Sequence, residues 1–145
     1  MEIFLGGTTA EGTTWREILK PKLEKHKISY FDPIVDDWNE EAQELELQKR
    51  ESCDFVLYVI TPLMEGVYSI AEVVDDSNKR PEKTLFCILR KDGTDEYAKR
   101  EWTKSQIKSL EMVEKMIEEN GATVFDSLNQ IAVVLSNIEN KNTKL

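Results

Sequence analysis

Seven consecutive residues, Phe55 to Thr61, form an almost unbroken apolar, β-branched and aromatic run, and Pro62 ends it. A strand with one wet face alternates apolar and polar residues, so a run this continuous belongs in a strand covered on both faces. Such strands sit in parallel sheets, where each crossover connection lays a helix over a face. A Gly-containing loop follows, and from Val67 the pattern becomes helical. Glu72 lies in that helix, four residues after Tyr68 and so on the same face. A central strand, a tight loop and a polar residue near a helix start is where open α/β sheets gather their ligands.

The rest of the chain alternates around this strand. A strand at Ile3–Leu5 runs into Gly6-Gly7-Thr8-Thr9. Thr14-x-x-Glu17 reads as a capping box opening a helix at Trp15, with Trp15, Ile18, Leu19 and Leu23 on its apolar face, and Pro21 is expected to kink or split that helix. A second strand, Ile28 to Phe31, ends at Asp32-Pro33. The loop Ile34–Trp38 leads into a polar helix over Asn39–Cys53, in which Trp38, Ala42, Leu45, Lys49 and Cys53 make one narrow stripe and Glu46 lies on its flank. In the Glu72 helix the stripe is Ile70, Val74 and Ser77, opposite Glu72. Then come a strand at Thr84–Leu89, a turn at Lys91–Thr94, a long helix over Tyr97–Glu119 and a short strand at Thr123–Phe125. A last helix has Leu128, Ile131, Leu135 and Ile138 inside. Residues 139–145 read as a polar, frayed tail, which leaves a single domain over 1–138. This alternation predicts a three-layer α/β fold, Rossmann/flavodoxin-like, with five parallel strands in the order 2-1-3-4-5. In that order the winding reverses between the first and third strands. A crevice then opens at their carboxyl ends, bordered by Gly6–Thr14 and Thr61–Tyr68.

Charge and composition narrow the function classes. A net charge of -9 argues against a nucleic-acid polymer as partner, since a phosphate backbone needs a basic footprint. It does not argue against a small nucleotide. The longest apolar run falls far short of the roughly 20 residues that a membrane span needs, and MEIFLGG has no basic segment of the secretory kind. Cys53 and Cys87 lie in apolar context and read as buried reduced thiols, which fits a cytoplasmic compartment. No Cys/His set has zinc spacing. His26, the only histidine, reads as a surface residue at a helix end, so neither a Ser-His-Asp nor a Cys-His system can be assembled. Arg16, the cation nearest the first crevice loop, reads as a surface residue.

The crevice loops suggest a chemistry. Gly6 and Gly7 let the backbone approach a ligand, and Thr8 and Thr9 can bond a sugar or a phosphate. No Gly-Lys-Ser/Thr follows, so this is not a nucleoside-triphosphate loop, and the dinucleotide fingerprint is also absent. Glu72 sits just beyond the second loop, where the short Ser69 and Ala71 leave room for something bulky. A carboxylate there can attack an anomeric carbon, because the transition state is an oxocarbenium ion that a neighbouring negative charge stabilises. The departing base needs a proton, and Glu46, Asp36 or Asp37 is placed to give it. One carboxylate must stay ionised while the other is held protonated. Tyr68 and Ser69 would position Glu72 or the sugar, and Trp38 could stack on a base or staple its helix. No metal or organic cofactor is called for. A crevice that only binds a nucleotide-like ligand without turnover is the alternative. A glycohydrolase for NAD or ADP-ribose is a weaker one, because the short loops leave little room for a second nucleotide.

The order IFLGGT, then Trp-Arg, then DPxVDDW, then CDFxLYVITPxMxGVYSIAEVVDDS resembles the nucleoside 2-deoxyribosyltransferase-like family, in particular a compact branch of it. The likeness covers nearly the whole chain and is most specific over Cys53–Ser77. It implies a five-stranded Rossmann-like sheet and cleavage or transfer at the N-glycosidic bond of deoxyribonucleosides or their monophosphates. It also implies that Glu72 is the nucleophile. A second acid falls eight residues before the Asp that opens the third strand, here Glu46, where the family usually has Asp. Gly6, Gly7 and Thr8 would border the sugar or phosphate, and Asp36, Asp37 and Trp38 the base. Relatives carry Asp or Ser about six residues before the nucleophile, and this chain has Gly66. The resemblance further implies at least a homodimer, since relatives complete their sites across a subunit interface.

Overall fold

In the computed structural model, which describes residues 1–144, the apolar run becomes β3 (Phe55–Ile60) at the centre of a five-stranded sheet. β1 (Glu2–Gly7) and β4 (Thr84–Ile88) flank it, and β2 (Ser29–Phe31) and β5 (Thr123–Phe125) form the edges. The order is 2-1-3-4-5 and every pairing is parallel. The helices are α1 (Trp15–Lys25), α2 (Glu40–Ser52), α3 (Tyr68–Lys79), α4 (Lys104–Glu119) and α5 (Leu128–Thr143). This is the three-layer α/β fold with the crevice between β1 and β3.

Side chains alternate across the sheet, so each central strand feeds two cores. Ile3, Leu5, Leu57, Val59, Leu85 and Cys87 pack with Trp15, Leu19 and Leu23 of α1 and Leu128, Ile131 and Leu135 of α5. Phe4, Val56, Tyr58, Ile60 and Phe86 face the other way, toward Val73 of α3 and Leu110 and Ile117 of α4. Both cysteines are buried and free, and burial pushes each thiol up to about 12. Among the described residues no helix is long and apolar enough to cross a membrane.

The structure departs from the sequence reading at several places. α1 runs unbroken through Pro21, because Pro21 and Glu17, whose carbonyl loses its partner, are both exposed and water can serve that carbonyl. Its buried row is Trp15, Leu19 and Leu23, spaced by four, and Ile18 falls off the edge at 49% exposure. The Thr14 side chain accepts from none of the first N–H groups of α1, so the capping box is absent there. A genuine capping box opens α4, between Thr103 and Gln106. The long helix expected over Tyr97–Glu119 is broken, because Trp102 turns into the core and its indole N–H donates to the Leu89 carbonyl at 2.8 Å. Only a single 3₁₀ turn, Tyr97–Lys99, precedes the break. The stripe expected on α2 does not form: Trp38 and Leu45 are exposed, and Arg50 is the one fully buried residue of that helix. On α3 the deepest residues are Glu72, Val73, Asp76 and Ser77, while Ile70 and Val74 are half-buried. The segment expected to fray is helical as far as Thr143; Leu145 lies outside the described residues.

Candidate active site

A hollow of about 690 Å³ opens at the carboxyl ends of β1 and β3, within the size range of small-molecule sites. Gly6, Gly7, Thr8 and Thr9 form one wall, and Met64 to Gly66 with Tyr68, Ser69 and Glu72 form another. Pro33, Ile34, Val35 and Trp38 close a third side, and Glu46 reaches in from α2. Glu72, Glu46, Gly6, Gly7, Thr8, Trp38, Gly66, Tyr68 and Ser69 are thus brought to one place. Asp36 and Asp37 are not; both are exposed on the loop beyond Val35 and stay off the lining.

Packing dictates the two glycines before any ligand does. A Cβ on Gly6 would run into the Tyr58 and Phe4 rings. Gly7 has φ +119°, and a Cβ there would overlap the Val59 carbonyl oxygen. The pair therefore lets β1 lie flush against β3 as it enters the hollow. Thr8 is buried and stitches the two crevice walls: its N–H donates to Val59 O at 2.9 Å, and its hydroxyl accepts from Thr61 N at 2.9 Å.

The carboxyl pair is set by helix periodicity. Glu46 and Arg50 lie one turn apart on α2, and Glu72 and Asp76 lie one turn apart on α3, so two rungs face each other. The Glu72 side chain is 8% exposed; its Oε2 stands 3.5 Å from Arg50 Nη1 and has no hydrogen-bond partner. Burial pushes the Glu72 carboxyl up to about 8, helped by its hydrogen bond to Glu46 and the like charge there, while Arg50 pulls it back down. The neighbouring Glu46 carboxyl thus favours the protonated form of Glu72.

Arg50 is anchored below. Its Nε donates to Asp76 Oδ2 at 3.1 Å and its Nη2 to Asp76 Oδ1 at 3.0 Å. Tyr58 Oη donates to Asp76 Oδ2 at 2.5 Å, and Arg80 also bonds Asp76. Burial opposes the Arg50 charge, but the Asp76 bond and the surrounding negative groups outweigh it and raise its pKa above the ordinary value. Sequence reasoning missed this residue because α2 looked like a solvated acidic helix. Counting four from Glu46 reaches it.

Two further residues escaped the sequence reading. Arg16 is buried, not a surface group: Nη1 donates to Thr8 O at 2.7 Å and Nη2 to Leu5 O at 2.9 Å. Desolvation lowers its pKa to about 10 even with Asp32 beside it. Asp92 reads as part of a polar turn, yet it is 6% exposed. Its carboxylate accepts from Thr13 Oγ1, Thr14 N at 2.8 Å, Thr14 Oγ1 at 3.2 Å and Thr61 Oγ1 at 2.7 Å. It therefore ties the first crevice loop, the start of α1 and the end of β3 together, and holds the N–H of Thr14, the residue that opens α1.

A family model described as Nucleoside 2-deoxyribosyltransferase like matches residues 1–91, which take in β1 to β4 and so every wall of the hollow. The chain belongs to that family. Among curated proteins none matches. Within the family match lie Glu46, Arg50, Glu72 and Asp76; Asp92 falls one residue past its end.

Proposed function

We propose that this family member cleaves or transfers at the N-glycosidic bond of a nucleoside or nucleotide, with Glu72 as nucleophile. A Glu72 carboxylate oxygen attacks C1′. The C1′–N bond breaks, its electron pair goes to the base nitrogen, and Glu46 supplies the proton that nitrogen takes up. The resulting glycosyl ester passes its sugar to water or to a second base, whose lost proton returns to Glu46. Of the three acids considered for proton delivery, Glu46 alone lines the hollow beside Glu72. Ser69 and Tyr68 flank the sugar, and Trp38, Ile34 and Val35 offer an apolar wall to the base.

The observation that carries this reading is the placement of two carboxyl side chains, Glu72 and Glu46, in one hollow beside the first glycine turn. A glycosidic exchange needs one carboxylate and one carboxylic acid in reach of the same bond; Glu72 and Glu46 line the same hollow, and burial raises the Glu72 carboxyl. Incubation with a panel of deoxynucleosides and their monophosphates, with and without a second base, should release or exchange base in the wild type. Glu72→Ala should abolish it; an equally active Glu72→Ala refutes the assignment.

A further inference from the structure

Resting on that reading, we propose that Asp76 is a positioning residue: it holds the Arg50 guanidinium by one edge, so that Arg50 stands beside Glu72 without closing on it and leaves the nucleophile charged but unbound.

A guanidinium is a rigid fork of N–H donors, and its favoured partner is a carboxylate gripped through two of them. Arg50 has Asp75, Asp76 and Glu72 to choose from, all within 3.5 Å. Asp76 takes the two-point grip, with Nε at 3.1 Å from one oxygen and Nη2 at 3.0 Å from the other. Nη2 also reaches the half-buried Asp75 at 3.3 Å. Glu72 is left with Nη1 at 3.5 Å, and its buried Oε2 accepts no hydrogen bond. The grip is itself fixed. Asp76 is fully buried on α3, Tyr58 donates to the oxygen that Nε uses, and Arg80 bonds the oxygen that Nη2 uses. These four donors fill a carboxylate's acceptor capacity, so Asp76 cannot swing and neither can the edge of Arg50 it holds.

The placement matters because ester formation consumes the charge on Glu72. A cation bonded tightly to that carboxylate would stabilise the ground state more than the transition state and raise the barrier. No cation at all would leave the buried acid protonated. Arg50 held at 3.5 Å meets both needs. The charged and titratable groups facing Glu72 are Glu46 and Arg50 from α2, Asp76 from its own helix and Tyr58 from β3; Glu11, Glu65 and Arg16 also line the hollow. Burial is the main reason the Glu72 carboxyl stands at about 8, Glu46 and Asp76 push the same way, and Arg50 opposes them.

Asp76→Asn tests this. Asparagine keeps the shape but has one acceptor oxygen, and its amide nitrogen turns a donor toward the arginines. Half of the grip is lost, a negative charge beside Glu72 disappears, and the guanidinium should close on Glu72. The Glu72 midpoint, read by carboxyl ¹³C NMR, should fall at least about one unit below its present value of about 8, and the rise of base release with pH should follow it. Above that midpoint kcat should drop by at least ~10-fold while KM changes by less than ~3-fold. A midpoint unmoved or raised, or a kcat equal to wild type above it, overturns the proposal; a purely structural Asp76 would lower urea stability and leave the midpoint in place. A second measurement leaves Asp76 intact. In Glu72→Gln, ¹⁵N NMR should show the Arg50 Nε–H still protected from solvent exchange, as a proton held by Asp76 must be. Loss of that protection would make Glu72 the holder of the guanidinium and overturn the proposal, even if Asp76→Asn does not fold. If the midpoint falls in Asp76→Asn but the wild type releases no base from any nucleoside or nucleotide, the positioning of Glu72 stands and its assignment as nucleophile falls.

Discussion

Replacing Arg50 by Lys isolates what the guanidinium does for Glu72, the proposed nucleophile. Arg50 reaches Glu72 with Nη1 while Nε and Nη2 grip Asp76. A lysine has one charged atom and cannot span both, and Asp76, fully buried and bonded also by Tyr58 and Arg80, will keep it. Across the 3.5 Å between Nη1 and Oε2, an effective dielectric of about 20 gives an attraction of ~5 kcal/mol. That is a ceiling of roughly 3.5 pH units on the Glu72 carboxyl. Since a lysine on Asp76 retains a good part of it at longer range, the expected rise is about one unit above the present value of about 8. Less of the Glu72 carboxyl is then ionised at neutral pH, so base release there should fall by about 10-fold, and the rise of the rate with pH should move to higher pH. A carboxyl ¹³C titration, with the Glu72 resonance assigned by its loss in Glu72→Gln, reads the shift directly. A Glu72 midpoint at or below about 8 in Arg50→Lys would refute the argument. A merely structural Arg50 would lower stability without moving that midpoint.

Glu72 also links stability to pH. Its folded carboxyl titrates above the ordinary 4.5, at about 8, so the folded state binds more protons between those values; stability is full below about 4.5 and is lost as pH rises through about 8. Unfolding free energies from urea titrations should decline on the order of 2–4 kcal/mol across that window, and Glu72→Gln should flatten the decline and be the more stable protein at pH ~9. Asp92→Ala should cost about 2–4 kcal/mol by leaving the half-buried Thr14 N–H and the buried Thr61 hydroxyl without their acceptor, and should raise KM for nucleosides, while unchanged urea unfolding would contradict the role given to it. Gly7→Ala should cost more than about 3 kcal/mol, since φ is +119° and the new methyl overlaps the β3 backbone; a crystal structure with β1 undisturbed would contradict this.

The fold was legible where burial decides the residue type. The continuous run at β3 announced a strand covered on both faces, and the strict alternation of elements left one strand order with a crevice in one place. Boundaries failed where a single long-range contact overrides local pattern. Residues before Thr103 look helical until Trp102 reaches the Leu89 carbonyl and pulls the chain straight. Thr14 and Glu17 have the spacing of a capping box, but Asp92, nearly eighty residues away, takes the Thr14 N–H instead.

The site was half legible for the same reason. Glu72 stood out by its place after the central strand, and Gly6, Gly7 and Thr8 by their loop. The charges that make Glu72 usable were hidden, because a buried arginine on an acidic helix has the same local sequence as a solvated one. Yet α2 offers almost no apolar surface: Leu45 and Leu47 are exposed, and only Arg50 is fully buried. A helix without an apolar seam must be held by something else, and here it is the Arg50–Asp76 fork, with Lys49 bonded to Glu2 at 3.1 Å. The contact that docks α2 is thus also the contact that sets Glu46 against Glu72. Fixing two carboxyl groups side by side out of water is unfavourable, and the opposing guanidinium offsets that cost where it arises. Position and electrostatics of the acid pair therefore stand or fall together, which is why a substitution as mild as lysine at position 50 should change the chemistry before it changes the fold.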